Sequence, residues 1–561
     1  MQKEKIQKLC KILVIASAAV GIASLVLFIP TVRNFIIDLG ELYVGRQLTR
    51  EVWHGKLIRF GISNFLFGAF LFCCFRRISS VPFLEKILSN QRFLWLFCAI
   101  VSVCTAALSF ISGDIWLDET FSLGLARHSV RDLVSLTASD VHPPLYYLIL
   151  KCAVLLFPHS IAAAKFVSVI PVVILIFCGA KFLSKEYSSL SAFLFVLILF
   201  STNSILQYAV EIRMYSWGAL FVFFCAIASF YMVTDERLRF FLLFLVSAEC
   251  GAYTQYWVAV TLAILFVLAG IMCIAKDKNS WKKLCVVAVL AVVLYLPWLK
   301  TLAAQFGTVS ENYWIGNPSL RTIISYVTFL FPYPISLWKI ALMLFCAVIM
   351  IKNLVLLFNR KLSQKDTVPL LFAFVPFLVI LTALTLCILI RPIFVERYAL
   401  PSIPLLAVFL ALALAPFCKK KNISVVFALI LGLQVFVLSA KSEYENRKAL
   451  AEFKSVMSEH VTDDTVFVPI DVGSHIPRCL AFLYPEHKHC AEISELWTSA
   501  YQVPRENLVS DYAEKSDICF VVDDAAKIPE KYSDCPRFAI TFSNTYRNLL
   551  FCFTKYARQD S

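Results

Sequence analysis

At 561 residues, 60% hydrophobic and only 16% charged, the chain is too apolar for a soluble globular protein, which sits nearer half apolar and a quarter charged. Its net charge of +14 does not point to nucleic acid, because the basic residues fall in short tracts between apolar runs, the pattern of cytoplasmic membrane loops. Apolar runs of about 20 residues recur along the chain, which makes it a polytopic membrane protein.

In chain order, Lys3, Lys5, Lys8 and Lys11 place the N-terminus in the cytoplasm, ahead of a retained first span near 11–30 rather than a cleaved signal peptide. A second span near 57–75 returns the chain to the basic stretch "RRISSVPFLEKILSNQR", and a third near 93–112 exits at "SGDIWLDET". The next apolar run, "PPLYYLILKCAVLLF" (143–157), is short for a crossing and carries Lys151. Laid along the interface, it leaves Lys181 and Lys185 inside, and the loops "DERLR", "KDKNSWKK", "NRKLSQK" and "CKKKN" then all obey the charge rule. The proline-broken segment 322–336 reads as a second interfacial piece, and the last span, near 422–440, exits to an outside tail. The expected total is about thirteen spans.

The tail changes character. "DTVFVPIDV" and "SDICFVVDD" are strand-length apolar runs bounded by turn residues, and "RFAITFSNTYRNLLFCF" reads as a hairpin. The expected organisation is two extra N-terminal transmembrane helices (1–92), a membrane module (93–440) with an outer loop at 113–160, and an extracytoplasmic soluble α/β domain (441–561). Nineteen cysteines lie mostly in apolar segments, where they act as small hydrophobes, and none has zinc-site spacing. Cys479 and Cys490 fall in an oxidising compartment by this topology and are candidates for a disulfide, while His475, His487 and His489 read as surface residues. The sequon at Asn422 falls on the cytoplasmic side and is discounted.

With this topology the polar residues that are costly near a membrane gather on one face: Asp118, Glu119, His142, Lys165, Glu211, Arg213, Gln255, Arg391, Glu396 and Arg397. Snorkelling accounts for a single cation but poorly for carboxylates. One acidic pair with several cations suits transfer of a sugar from a lipid phosphate, where one base deprotonates the acceptor hydroxyl and cations stabilise an anionic leaving group. A glycosidase would need two carboxylates working as a pair. A transporter or flippase of a lipid-linked saccharide is the alternative, disfavoured because the chain has no internal repeat.

Four stretches in this order, "WLDETFSL", "DVHPPLYYLILK", "EIRMYSWGAL" and "RPIFVERYALPSIPLLAVFLA", resemble the GT-C glycosyltransferases of family 39. These are bacterial relatives of protein O-mannosyltransferases and of the lipid A aminoarabinose transferase. The resemblance covers roughly 93–440. It implies a GT-C fold, an all-α membrane module with interfacial helices in the first outer loop. It also implies a polyprenyl-phosphate-sugar donor, inversion, and an active site on the extracytoplasmic face of the bacterial inner membrane. The acceptor would be a hydroxyl of protein, lipid or cell-envelope glycan.

Carried over by residue, the resemblance makes Asp118 the base, with Glu119 beside it, and His142 and Tyr146 part of the closing motif. Glu211, Arg213 and Tyr215 form the third motif, and Arg391, Arg397 and Tyr398 the fourth, with Arg213 and Arg397 candidates for the donor phosphate. Lys165 stands where the family often has Arg, and Gln255 where it often has a His. Gln255 is a poor ligand for a transition metal, so a divalent metal stays an open question and no metal ligands are assigned. The structural alternative for Asp118 is to cap a helix beginning at "ETFSLGLARH".

Overall fold

The computed structural model describes residues 22–44, 50–75, 80–113, 115–158, 160–235, 237–276, 280–311, 315–333, 336–469, 487–491, 502–504, 518–522, 538–546 and 549–556, with isolated positions 12, 15, 16 and 19. Lys3, Lys5, Lys8, Lys11, Arg76, Arg77, His475 and Cys479 lie outside the described residues, as do the side chains of His489 and Cys490.

Among the described residues ten helices are long and apolar enough to cross a membrane. The number rises to twelve if two bent pairs, Ile22–Phe28 with Pro30–Leu39 and Ser189–Phe200 with Asn203–Ala209, each count as one span. The expected count of about thirteen is reached only with Leu238–Ala252, which has 15 residues. At 1.5 Å per residue that helix covers about 22 Å, short of a hydrocarbon core of roughly 30 Å. The N-terminal span expected at 11–30 lies partly outside the described residues, and its described part turns by 91° where Pro30 starts a new helix.

Helices dominate because a backbone in hydrocarbon must satisfy its polar groups within its own segment. The chain divides into two compact units. One comprises Met1–Thr105, Ile170–Ala209 and Tyr215–Ser439, and the other Ala106–Val169, Val210–Met214 and Ala440–Ser561.

In the first unit, Tyr215–Thr234 and Ile403–Lys420 are largely buried helices, and Ser189–Phe200 is buried from Ser191 onward. Glycine lets them close up: a Cβ at Gly179 would meet the Phe195 ring at 2.2 Å, and one at Gly218 would meet Val258 at 2.6 Å. Leu337–Phe358 instead exposes Ile340, Leu344, Val348, Ile351 and Val355, a stripe at helical spacing that suits contact with lipid chains. Asn422 is 2% exposed, and its amide both accepts from Val81 N (2.8 Å) and donates to Val81 O (2.8 Å). The sequon asparagine is therefore a structural clasp.

In the second unit, three short helices follow one another: Leu117–Arg127, Val130–Ser139 and Leu145–Leu156. The last has 12 residues, too few to cross. It buries Tyr146, Tyr147, Leu150 and Val154 while Leu155, Leu156 and Phe157 are exposed, as the interfacial reading requires. The helix Ile423–Met457 runs 35 residues, so the expected domain boundary at 440/441 falls inside it. Its charged end is helical because Lys441–Glu445 and Lys448–Glu452 pair one turn apart.

The tail carries a six-stranded sheet in the order β3-β2-β1-β4-β6-β5. β1 (Val466–Pro469), β2 (Lys488–Ala491), β3 (Gln502–Pro504) and β4 (Ile518–Val522) are parallel, with Phe467 opposite Cys519. β5 (Phe538–Tyr546) and β6 (Leu549–Tyr556) form the antiparallel hairpin, shifted in register between Ile540 and Phe542, and β6 pairs antiparallel with β4. Val466–Val468 and Ile518–Val521 are buried, which is why these strands read as continuous apolar runs rather than as alternating patterns.

Candidate functional site

The densest polar cluster lies within the second unit, around the start of Leu117–Arg127. Glu119, the third residue of that helix, receives three hydrogen bonds: Oε2 from Trp116 N (3.0 Å), and Oε1 from Ile212 N (2.9 Å) and Lys165 Nζ (3.1 Å). Its side chain is 2% exposed and that of Lys165 4%. Glu119 thus satisfies a free N–H at the helix start, ties the Ile212 backbone, and neutralises a buried ammonium. The capping role considered for Asp118 belongs to Glu119, because the helix begins two residues earlier than its sequence suggested.

Asp118 keeps 20% of its side chain exposed, although its Oδ2 is buried. Its Oδ2 lies 4.0 Å from Arg213 Nε. The Arg213 guanidinium is buried and heavily bonded. Nη1 donates to Asp118 O (3.2 Å), Ser122 Oγ (3.3 Å) and Tyr147 Oη (3.5 Å), and Nη2 lies 3.3 Å from His142 Nε2. His142 Nδ1 in turn lies 3.0 Å from Asp140 Oδ2. Burial pushes the Asp140 carboxyl up, but the hydrogen bond with His142, the Val141 N–H and the Arg213 charge together hold it below the usual aspartate value.

Tyr146 and Tyr147 pack edge to face at 5.6 Å, and Tyr147 meets Phe121 at 6.0 Å. Tyr146 Oη lies 3.4 Å from Ser168 Oγ, and Ser168 donates to Arg213 O (3.2 Å). Burial pushes both phenols up, so they stay neutral. Lys151, the odd charge in an apolar helix, donates to Ala126 O (3.3 Å) and His128 O (2.6 Å), closing the C-terminal end of the Asp118 helix.

The structure therefore gathers Asp118, Glu119, His142, Tyr146, Lys165 and Arg213 into one cluster, with Glu211 buried on the same short segment as Arg213. Sequence reasoning missed Asp140, Ser122 and Ser168. Their signal was available: Ser122 lies four residues after Asp118, Ser168 three after Lys165, and Asp140 two before His142.

Tyr215, Gln255, Arg391, Arg397 and Tyr398 belong to the other unit. There Tyr398 lies 6.4 Å from Tyr215, joining the third and fourth motifs, and 6.4 Å from Trp257, whose Nε1 donates to Ile393 O (3.2 Å). Ser325 bonds Glu396, and Tyr326 Oη donates to Phe394 O (2.8 Å), so the fourth motif is anchored on both sides. Gln255 is 3% exposed, and neither amide atom has a hydrogen-bond partner among the described residues.

Among the described residues no three His, Cys, Asp or Glu converge as a metal site. The donor set near Asp118 does not fit a divalent ion: Glu119 is spent on Lys165 and two N–H groups, and Arg213 stands against Asp118.

No family model and no curated protein matches the chain. Among solved structures it is similar to the crystal structure of ArnT from Cupriavidus metallidurans in the apo state, at TM-score 0.60 and 11% identity, covering 82% of this chain and 98% of that one. The same protein bound to undecaprenyl phosphate gives TM-score 0.57 and 12% identity over 83% and 98%. The apo Archaeoglobus fulgidus oligosaccharyltransferase gives 0.40 and 12% over 79% and 71%. The ArnT likeness spans nearly the whole of that chain, and with the apolar helices above it makes this protein an integral, multi-pass membrane protein of the ArnT-like GT-C fold.

Proposed function

We propose that the protein is a membrane glycosyltransferase that moves a sugar from a polyprenyl-phosphate carrier to an acceptor hydroxyl on the extracytoplasmic face, with inversion. The family 39 motifs, an ArnT-like fold, and an ArnT solved with undecaprenyl phosphate support this reading. The observation that carries it is the division between two adjacent carboxylates: Glu119 is 2% exposed and takes three internal bonds, while Asp118, beside Arg213, keeps 20% of its side chain exposed.

Asp118 accepts the acceptor's proton as the acceptor oxygen attacks the anomeric carbon. The bond from that carbon to phosphate oxygen breaks on the opposite face, and polyprenyl phosphate leaves with the bonding electrons. Because the carrier chain stays in the bilayer, the reacting bond is reached from the interface, where an interfacial helix carrying Tyr146 suits it. Arg213, bonded to neutral groups on Nη1, keeps its positive charge available to the donor phosphate while holding Asp118. Arg397, on the fourth motif, is the alternative candidate for a donor-phosphate contact. Sugar, acceptor and the bacterial inner-membrane location belong to this proposal.

The test is transfer by the purified full-length protein from a panel of polyprenyl-phosphate sugars, reading released polyprenyl phosphate. Asp118→Asn should melt normally and lose on the order of 10²–10⁴-fold in rate. Near-normal transfer by that variant overturns the base assignment. Net movement of lipid-linked sugar across vesicles without hydrolysis or transfer would favour a flippase.

A further inference from the structure

The contact between Arg213 and His142 fixes a protonation pattern. A guanidinium only donates, so at 3.3 Å from Arg213 Nη2 the His142 Nε2 must be the acceptor. A neutral imidazole has one acceptor nitrogen, so its proton sits on Nδ1, which faces Asp140 Oδ2 at 3.0 Å. Asp140 is at the end of Val130–Ser139, and its backbone N–H is bonded to Thr137 O (3.3 Å). Pro143 follows His142 and restricts its backbone to extended conformations. Both partners are thus held from outside the pair.

Arg213 then reaches Asp118 twice, through the backbone oxygen at 3.2 Å and the carboxylate at 4.0 Å. With the wrong tautomer, Nε2–H would face an N–H of Arg213 and the contact would be lost. We propose that Asp140 and His142 are positioning residues, which hold Arg213, and through it the Asp118 carboxylate, by locking His142 as the neutral Nδ1–H tautomer. This rests on Asp118 being the catalytic base.

The experiment uses full-length protein labelled with 15N-histidine in detergent micelles, with His142→Gln to assign the signal. Wild type should show Nδ1 protonated and Nε2 in the acceptor form, and Asp140→Asn, whose amide oxygen still accepts, should keep that pattern. Asp140→Ala should lose it. This arm needs no sugar donor, so it stands or falls apart from the transfer reaction. With a donor that the wild type uses, Asp140→Ala should lower kcat about ten- to a hundredfold with donor KM within about threefold, and Asp140→Asn should recover most of the loss. Protonated Nε2 in the wild type overturns the proposal, and so does an unchanged kcat in a folded Asp140→Ala variant.

Discussion

Removing the Glu119 carboxylate strands the Lys165 ammonium in the interior. Lys165 Nζ bonds Glu119 at 3.1 Å, with 4% and 2% of the two side chains exposed. Breaking such a pair from one side typically costs about 3–5 kcal/mol, because the remaining charge stays buried. Glu119→Ala also leaves Trp116 N and Ile212 N without their acceptor, and each unpaired buried donor costs about 1–3 kcal/mol. These losses share one cluster and do not add fully, so a total of at least about 4 kcal/mol is expected. That is a large fraction of the roughly 5–15 kcal/mol that holds a typical domain. Glu119→Gln keeps one acceptor oxygen, enough for Ile212 N and Lys165 Nζ but not for Trp116 N as well, and should cost less than Glu119→Ala. Glu119→Gln with Lys165→Met removes both charges and should regain at least about 2 kcal/mol relative to Glu119→Ala. Equilibrium unfolding in mixed micelles, followed by circular dichroism, reads all three. A Glu119→Ala variant within about 1 kcal/mol of wild type would refute the buried-charge argument.

Three further outcomes are expected. Asp140 is held below the usual aspartate value of 3.8, so the folded state binds fewer protons than the unfolded one around that pH; its contribution is complete above about pH 5 and is lost as pH falls below 3.8. Melting curves between pH 6 and 3 should therefore fall less steeply for Asp140→Asn than for wild type, and equal slopes would contradict it. On a background lacking reactive cysteines, Val130→Cys, at an exposed position in the first outer loop, should react with an impermeant thiol reagent in intact cells while the exposed Lys361→Cys should not; the reverse pattern inverts the proposed topology. Arg397→Ala should lose roughly ten- to a hundredfold in kcat/KM for the lipid-phosphate donor, and Arg397→Lys should rescue poorly if the contact is bidentate; unchanged kinetics would remove Arg397 from the phosphate site.

Much of the fold was legible because membrane insertion writes itself into composition. Hydrophobic length marked the spans, Lys151 and the short run around it marked the interfacial helix, and alternating turn and apolar residues marked the β5–β6 hairpin. Leu238–Ala252 was harder, since an apolar run says little about where a helix ends when a neighbouring turn, here at Tyr253 and Thr254, is set by packing. At the site, residue types identified Asp118, Glu119, His142, Lys165 and Arg213, but not their tasks. Two adjacent acids look alike in sequence. Which one is spent on capping depends on the residue at which the helix starts, and Leu117 rather than Glu119 takes that place. Asp140 was passed over because an acid at a helix end has an ordinary solvent-facing role, and its link to Arg213 runs through His142, which is 71 positions from Arg213. The long helix Ile423–Met457 outlasted its apolar segment for a similar reason, its charged half being stabilised by pairs rather than by lipid.

The N-terminal helix Arg50–Phe75 carries Ser63 and Asn64, 1% and 0% exposed, near its middle. Their partners come from two later helices: from Leu337–Phe358, Trp338 Nε1 donates to Ser63 O (3.0 Å) and Leu337 N to Asn64 Oδ1 (3.0 Å), and Ser63 Oγ donates to Gln434 Oε1 (3.5 Å) of Ile423–Met457. Trp338 is 275 residues downstream of Ser63. At roughly 5–20 residues per second, the ribosome needs about 14–55 s to supply it after Ser63 has been made. For that interval a helix with an uncovered amide sits in or beside the translocation channel, where lipid offers that amide no partner. The Asn64 amide oxygen therefore gains its Leu337 partner only late in synthesis, and a segment made early is among the last to be locked.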